Sequence, residues 1–529
     1  MDNYLNIWGA GAILAFSGLD GKTDFKNDLV LRIKFNGGGL ITKSPNNDGE
    51  INFKNEGTIT GDFFTTPAVK GAIIDTHHLL MEGNVKITAG NTYKILQQGN
   101  RTLFGIAEYF NPHLIHSDLD FIITQRKNFL KSLPQPKGIN EESKATLLKA
   151  YSMLKTQIYS PEGQLSYRWT TPDRWPHKQM WLWDSVFHSA GIRHIDINLA
   201  REAIKSVLQT ANEDGFIPLC ANPYNKDEKT QPPILALGVA LLDQIKKSDS
   251  FIAESYHALS GYLKWDLKNR TNKKCGLLEW YVGKDKFCRS GESGMDNSPR
   301  FDSALQIGAT DFNSFFAMEC GFMAKFATRV GKTEDAAYWK SENARMNQLL
   351  NKYCWDEELG IYCDYNPETK KRTGIKSSSG FLPLLSGAPT QKQVQKLVEH
   401  LHNPKTFGTP FPIPSVTRDT QGYNKDMWRG PVWINVNYLI ILGLERYEQF
   451  DEAQRIREIT LKNIEKYYHR YGVFFEFFDD QNELDPNKLP RKGKNIPDTF
   501  FQSFHDYGWT GMLYIEMLFS NSERHILWK

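Results

Sequence analysis

The chain has 529 residues, 40% hydrophobic and 24% charged. That is more than one hydrophobic core usually fills, so an ordinary soluble globular protein is expected, with two domains or one large multi-helix domain plus an appendage. The net charge of +3 is small for this length and no basic run is interleaved with aromatics, which argues against nucleic acid as the main partner.

The opening stretch, MDNYLNIWGAGAILAFSGLDGKTDF, has no basic leader region, and Gly and Asp break its apolar run. It reads as a poor signal peptide. No run approaches the ~20 apolar residues of a membrane span. A cytoplasmic protein with no membrane partner is expected, an export signal removed from the chain being the alternative.

Residues 1 to about 115 read as a β-sandwich-like domain. LVLRIKF sets Leu29, Leu31, Ile33 and Phe35 against Val30, Arg32 and Lys34 with period two. Turn clusters NGGG and PNNDG follow, and NVKITAG and TYKIL predict two more strands.

From about 118 the pattern turns helical. Behind Asp196, a predicted N-cap, Ala200, Ala203, Ile204, Val207, Leu208 and Ala211 keep the i, i+3, i+4 spacing. Behind Thr333, Ala336, Trp339, Met346, Leu349 and Leu350 do the same. Further helices are predicted near 140–157, 232–245, 251–268, 311–329, 391–402, 432–446, 452–468 and 508–519. Ten to twelve helices with aromatic-rich connections point to a mainly α domain over residues 116–529. Residues 480–497 read as a polar loop within it. Six cysteines without CxxC spacing point to buried thiols and to neither a zinc site nor a disulfide scaffold, so no metal or cofactor is expected.

The chain holds 13 Trp, 22 Tyr and 32 Phe, which serve either a large core or the stacking of sugar rings. Three segments set such rings beside carboxylates. RWPHKQMWLWDSVFH (174–188) places Asp184 next to Trp181 and Trp183, either to grip sugar hydroxyls or as a first-turn helix acid. SGESGMDNSPRFD (290–302) holds Glu292, Asp296 and Asp302 in a stiff Gly, Ser and Pro frame. It lacks the spacing of a nucleophile elbow or an EF-hand calcium loop. MWRGPVWINVN (427–437) is followed by GVFFEFFDD (472–480), in which Glu476 sits among four Phe. A carboxylate there is costly to bury without partners or a task, and a surface Glu on an edge hairpin is the alternative. Two carboxylates in an aromatic cleft are what glycoside hydrolysis needs.

Over roughly residues 165–520 the chain resembles glycoside hydrolase family 63 and the related mannosylglycerate-hydrolase and trehalase-like enzymes. The resemblance rests on WLWDSVFH, EDGFIP, TQPP, ESGMDNSPRFD, WRGPVWINVN and GWTG occurring in the family's order. It implies an (α/α)6 toroid with a central site, an inverting mechanism and a carbohydrate substrate. By motif it implies Asp296 as general acid and Glu476 as general base. Trp181, Trp183, Asp184, Gln231, Trp428, Arg429 and Trp509 then fall at sugar-binding positions, Glu292 orients either a sugar hydroxyl or Asp296 itself, and Asp302 reads as structural. An inverting α-glycosidase on a gluco- or manno-configured sugar is the leading expectation. A glycoside phosphorylase, which keeps the acid and replaces the base with phosphate, and a non-catalytic carbohydrate-binding toroid are the alternatives.

Overall fold

Two antiparallel sheets occupy the first hundred residues of the computed structural model, which describes all residues except 1–8, 36–37, 55–57, 60, 304–305, 497–498, 521–525 and 529. The first eight residues of the opening stretch, Asn36 and Gly37 of the glycine cluster, and Pro497 at the end of the polar loop lie outside the described residues. The strands are β1 (Ile13–Ala15), β2 (Val30–Ile33), β3 (Leu40–Ser44), β4 (Gly49–Asn52), β5 (Thr58–Ile59), β6 (Phe63–Thr65), β7 (Val69–Asp75), β8 (His78–Gly83), β9 (Lys86–Ala89), β10 (Tyr93–Gln98) and β11 (Arg101–Ile106). One sheet runs β1-β2-β3-β4-β9 and the other β10-β11-β8-β7-β6-β5. Leu31 and Ile33 of the first and Phe63, Leu79 and Leu103 of the second join one core, and Phe53 beyond β4 stacks on Phe64 of β6 at 4.8 Å. The predicted β region is therefore present, with more strands than its alternation announced.

Thirteen α-helices follow among the described residues. The first, α1 (Leu119–Ser132), packs on β7, and its Arg126 donates to the carbonyls of Asp62 and Ile73. The others are α2 (Glu141–Thr156), α3 (Leu182–Ile192), α4 (Ile197–Leu208), α5 (Leu235–Ile245), α6 (Asp249–Arg270), α7 (Thr310–Arg329), α8 (Thr333–Leu349), α9 (Pro383–Ser386), α10 (Gln391–His402), α11 (Ile434–Arg446), α12 (Phe450–Tyr471) and α13 (Gly508–Phe519). Local signals start and stop them where expected. The Asp196 carboxylate accepts the N–H groups of Asn198 and Leu199 at 2.8 and 3.2 Å, and Thr390 with Gln393 closes a capping box on α10. Gly472 ends α12 in the left-handed region at φ 67°.

The packing has a cyclic order. α3 touches α5, α5 touches α7, α7 touches α9, α9 touches α11, α11 touches α13, and α13 returns to α3. α4, α8 and α12 pack against α3, α7 and α11 from outside that cycle in sequence, and α2 packs against α13. The predicted helices do not include α3, in which every residue from Leu182 to Ile192 is buried. Among the described residues no helix is long and apolar enough to cross a membrane.

Where α3 meets α13 the backbones approach closely, and a Cβ on Gly191 would stand 2.3 Å from the Met512 carbonyl oxygen. On α7, a Cβ on Gly321 would meet only Asn343 Nδ2 at an ordinary 3.7 Å. Gly191→Ala should therefore destabilise by about 1–3 kcal/mol through overpacking. Gly321→Ala should be neutral or stabilise by up to about 1 kcal/mol through helix propensity. Urea-unfolding midpoints moving in the same direction by the same amount in both variants would contradict this packing.

Candidate active site

Several distant segments meet around a cavity of about 230 Å³. That is below the ~300–1,000 Å³ of pockets that take drug-sized ligands and suits one sugar ring rather than a long chain. The first wall begins in an antiparallel pair, Met180–Trp181 with Cys220–Ala221. The chain turns from that pair directly into α3, so Trp183 and Asp184 leave the first helical turn toward the cavity. The Trp183 backbone N–H donates to Gln231 Oε1 at 3.2 Å, which brings Gln231 to the same wall.

The loop 290–302 forms the second wall. Ser293 Oγ donates to the Ser290 carbonyl at 2.8 Å and accepts the Met295 N–H at 3.0 Å, so hydroxyl bonds stiffen the turn. Gly294 has φ +70°, and a Cβ there would lie 2.3 Å from the Trp183 indole. The loop can thus lie flat against Trp183 and deliver Asp296 to the cavity two residues later. Glu292 is not delivered there. Its carboxylate is 1% exposed and accepts from Arg270 at 2.6 Å, the Tyr281 N–H at 3.0 Å and the Thr230 N–H at 3.4 Å. Glu292 therefore anchors the loop to α6 and to two neighbouring segments instead of facing a sugar.

The third wall is aromatic. Trp428 stacks on Trp433 at 3.8 Å and 3°, Trp433 meets Trp509 at 5.7 Å, and Trp509 meets Trp183 edge-on at 5.8 Å. Arg429, placed by motif at a sugar-binding position, lies outside the lining. Its guanidinium pairs with Asp302 at 2.5 Å and donates to the carbonyls of Gly422 and Asn297 at 2.8 and 2.9 Å. Asp302 is accordingly bound into a protein ion pair.

Glu476 is 2% exposed and lines the cavity, so it is not a surface glutamate on an edge hairpin. Isolated bridges Phe475–His505 and Val432–Phe478 flank it and fix its segment on both sides. Arg491 grips its carboxylate in two-point fashion, Nε to Oε2 at 3.1 Å and Nη2 to Oε1 at 3.2 Å. The next residue, Lys492, places Nζ 2.6 Å from Asp296 Oδ2. One turn therefore supplies both carboxylates with cations. Arg491 and Lys494 close that turn by exchanging backbone hydrogen bonds, with Lys492 and Gly493 at φ 52° and 73°. Asp426 clamps it by accepting the Lys492 and Gly493 N–H groups at 2.7 and 2.6 Å, and also accepts from Asn297 Nδ2, beside Asp296, at 3.1 Å.

The two cations lie in the loop read as merely polar. Its RKGK run, with glycine in a turn, was the available signal. His177, Cys288 and Tyr507 also line the cavity and carry no motif signal.

Trp181 Nε1, Trp428 Nε1 and Asp184 Oδ1 are buried and make no hydrogen bond within the protein. Three unmet polar atoms beside indole faces fit a ligand rich in hydroxyls and apolar C–H groups. Burial, and then the charge of Glu476, push the Asp184 carboxyl well above its ordinary range. Burial works against the Lys492 ammonium, yet the charge and hydrogen bond of Asp296, together with Cys288, hold that group above its ordinary value. Burial, followed by the Asp296 charge, pushes the Cys288 thiol up to about 11. Among the described residues no group of three or more His, Cys, Asp or Glu side chains is arranged to hold a metal ion.

The model of the mannosylglycerate hydrolase MGH1-like glycoside hydrolase domain matches residues 177–510. The chain is 22% identical over 409 residues to the mannosylglycerate hydrolase of Rubrobacter radiotolerans, covering 60% of this chain and 89% of that one. Its fold is similar to that of the Thermus thermophilus mannosylglycerate hydrolase, with TM-score 0.57 and 21% identity over 70% of this chain and 98% of the other. A bacterial glucoamylase is similar over 98% of this chain and 86% of its own, with TM-score 0.57 and 11% identity.

The Asp184 carboxyl gives this site a stability signature. Its folded pKa is raised, so between its unfolded and folded values the native state binds more protons than the unfolded chain. Stability present at low pH is then lost as pH rises through that window, by up to about 1.4 kcal/mol per pH unit. Asp184→Asn removes the titration. The stability of this variant relative to the parent should grow from pH 4 toward neutrality, and a difference that stays flat or shrinks would contradict the placement of Asp184.

Proposed function

The chain belongs to the mannosylglycerate hydrolase MGH1-like glycoside hydrolases of family 63 and is an enzyme that hydrolyses glycosidic bonds, and we propose that it is an inverting α-glycosidase acting on a gluco- or manno-configured sugar. The observation that carries this reading is that Asp296 and Glu476 face one small aromatic cavity from different segments, each beside its own cation. In this reading Asp296 is the general acid and protonates the leaving oxygen. Glu476 is the general base and takes a proton from the attacking water. Arg491 holds the Glu476 carboxyl group in one orientation by its two-point grip, as a base requires. In the free site Asp296 is paired with the Lys492 ammonium. As substrate enters, the glycosidic oxygen takes the ammonium's place, and the Asp296 carboxylate takes up from solvent the proton that it then donates. Trp181, Trp183, Asp184, Gln231, Trp428 and Trp509 then hold the sugar ring, with the three unmet polar atoms meeting its hydroxyls.

Two features bear on architecture. The closed cycle from α3 through α13 supports an (α/α)6 toroid with the site at its centre, and the end at Ile106 of the last strand of the two large sheets supports a β domain ending near residue 115. The names of the relatives point to a mannosyl or glucosyl unit on a small aglycone. The volume of the cavity agrees with such a substrate.

Phosphorolysis is the second reading, because Lys229, Arg491 and Lys492 all line the cavity and could hold phosphate. The position of Glu476 inside the cavity favours hydrolysis, since a phosphorylase needs no base for water.

The test is a screen of α-linked disaccharides and glycosyl glycerates with the parent, Asp296→Asn and Glu476→Gln, with and without phosphate. Each variant should remain folded and bind sugar while losing about 10²–10⁴-fold in turnover. No sugar 1-phosphate should form. Turnover within twofold of the parent in either variant, or phosphate-dependent release of sugar 1-phosphate, would contradict the assignment.

A further inference from the structure

His177 lines the cavity but belongs to neither the acid–base pair nor its cations. Its Nδ1 lies 2.9 Å from Asp173 Oδ2, and its backbone N–H donates to Asp173 Oδ1 at 3.3 Å. A carboxylate accepts and does not donate, so Nδ1 carries the proton and Nε2, across the ring, is left for the cavity. The ring meets Phe504, Trp181 and Tyr507 edge-on, at 4.7, 5.9 and 5.9 Å, so its plane is fixed by packing as well as by Asp173.

Asp173 is fully buried, and its other charged neighbour comes from the sheet region. Arg32 of β2, also fully buried, places Nη2 3.6 Å from Asp173 Oδ1. The same guanidinium donates to the carbonyls of Gly11 at 2.5 Å and His505 at 3.1 Å, and to that of Trp175. Trp175 stands two residues before His177, and His505 two residues before Tyr507. A second strand reaches the same place, since the Ile13 N–H of β1 donates to Asp506 Oδ2 at 3.1 Å, where Lys149 Nζ also binds at 2.7 Å.

A buried guanidinium is costly unless its charge is paired and its N–H groups are used. Here Nη1 and Nη2 are used while Nε has no partner, and two of the three carbonyls they reach, those of Trp175 and His505, belong to segments whose next residues form cavity wall. We propose that His177 binds a hydroxyl of the sugar through Nε2, and that Arg32 of the β region is a positioning residue that acts on substrate through Asp173 and His177. This rests on the glycosidase reading and extends the site into a region that carries none of its motifs. In neutral imidazole Nε2 accepts the sugar O–H, so no other bond forms or breaks.

The test is a double-mutant cycle of His177→Ala and Arg32→Met, read as KM and kcat on whichever α-glycoside the parent hydrolyses. His177→Ala should raise KM about tenfold, the scale of one hydrogen bond, with a smaller change in kcat. Arg32→Met should raise KM several-fold in the parent but by less than about twofold when His177 is already Ala. Equal losses in both backgrounds would mean that Arg32 serves structure alone, and an unchanged KM in His177→Ala would remove the sugar contact; either overturns the proposal. Should Arg32→Met not fold, Asp173→Asn takes its place in the cycle with the same expectations. A parent that hydrolyses no α-glycoside defeats the glycosidase reading instead. The same cycle is then read from tryptophan-fluorescence titrations with mannose and glucose, where unaltered binding in His177→Ala again overturns the contact.

Discussion

Carboxylates crowded into one small aromatic cavity are the constraint on which the site depends. Asp184, Asp296 and Glu476 all line it, and each needs a partner or a proton. The solution is a single turn. Arg491 answers Glu476, Lys492 answers Asp296, and Asp184 is left without a cation and driven toward its neutral form. Glu476 accepts from its guanidinium, while the Asp184 carboxyl, raised by burial, is in the proposed reaction the group that meets a hydroxyl. Environment rather than residue type separates their tasks.

That turn is held rather than merely present. Asp426 binds both of its inner N–H groups and also binds Asn297, so one buried carboxylate ties the cationic turn to the loop of Asp296. Glu292 performs the matching service at the other end of that loop. The stacked indoles of Trp428 and Trp433 and the edge contacts of Trp509 leave little room for the wall to yield. The β region is joined to this frame through Arg32 and Ile13. A glycosidase needs its acid, its base and the anomeric carbon held within fractions of an ångström, and such a braced cavity supplies that.

Much of this was legible in the sequence, for identifiable reasons. Asp196 and the run behind it announced α4 because an exposed helix writes its buried face as a period. Motif order brought Asp296, Glu476, Trp183, Asp184, Gln231, Trp428 and Trp509 to one cavity. Order cannot tell which way a side chain turns, and so Arg429, and Glu292 in one of its two readings, fell at the sugar although both bind protein groups. The other reading of Glu292, as support for Asp296, agrees with its bonds. Arg491 and Lys492 escaped notice because their meaning depends on Asp296, nearly two hundred residues away, and on a turn that Asp426 clamps. Arg32 looked like an ordinary polar position on an alternating strand, and its burial comes from the helical region packed against it.

The central claim is that Asp296 and Glu476 act from opposite sides of the sugar, with water delivered by Glu476. Proton NMR of the hydrolysis of an α-linked substrate, recorded before mutarotation, tests it most directly. The account predicts that the first sugar released is the β-anomer, drifting later toward the equilibrium mixture. Initial release of the α-anomer would mean a retained configuration and a covalent intermediate, and would contradict the assignment of Glu476 as a base.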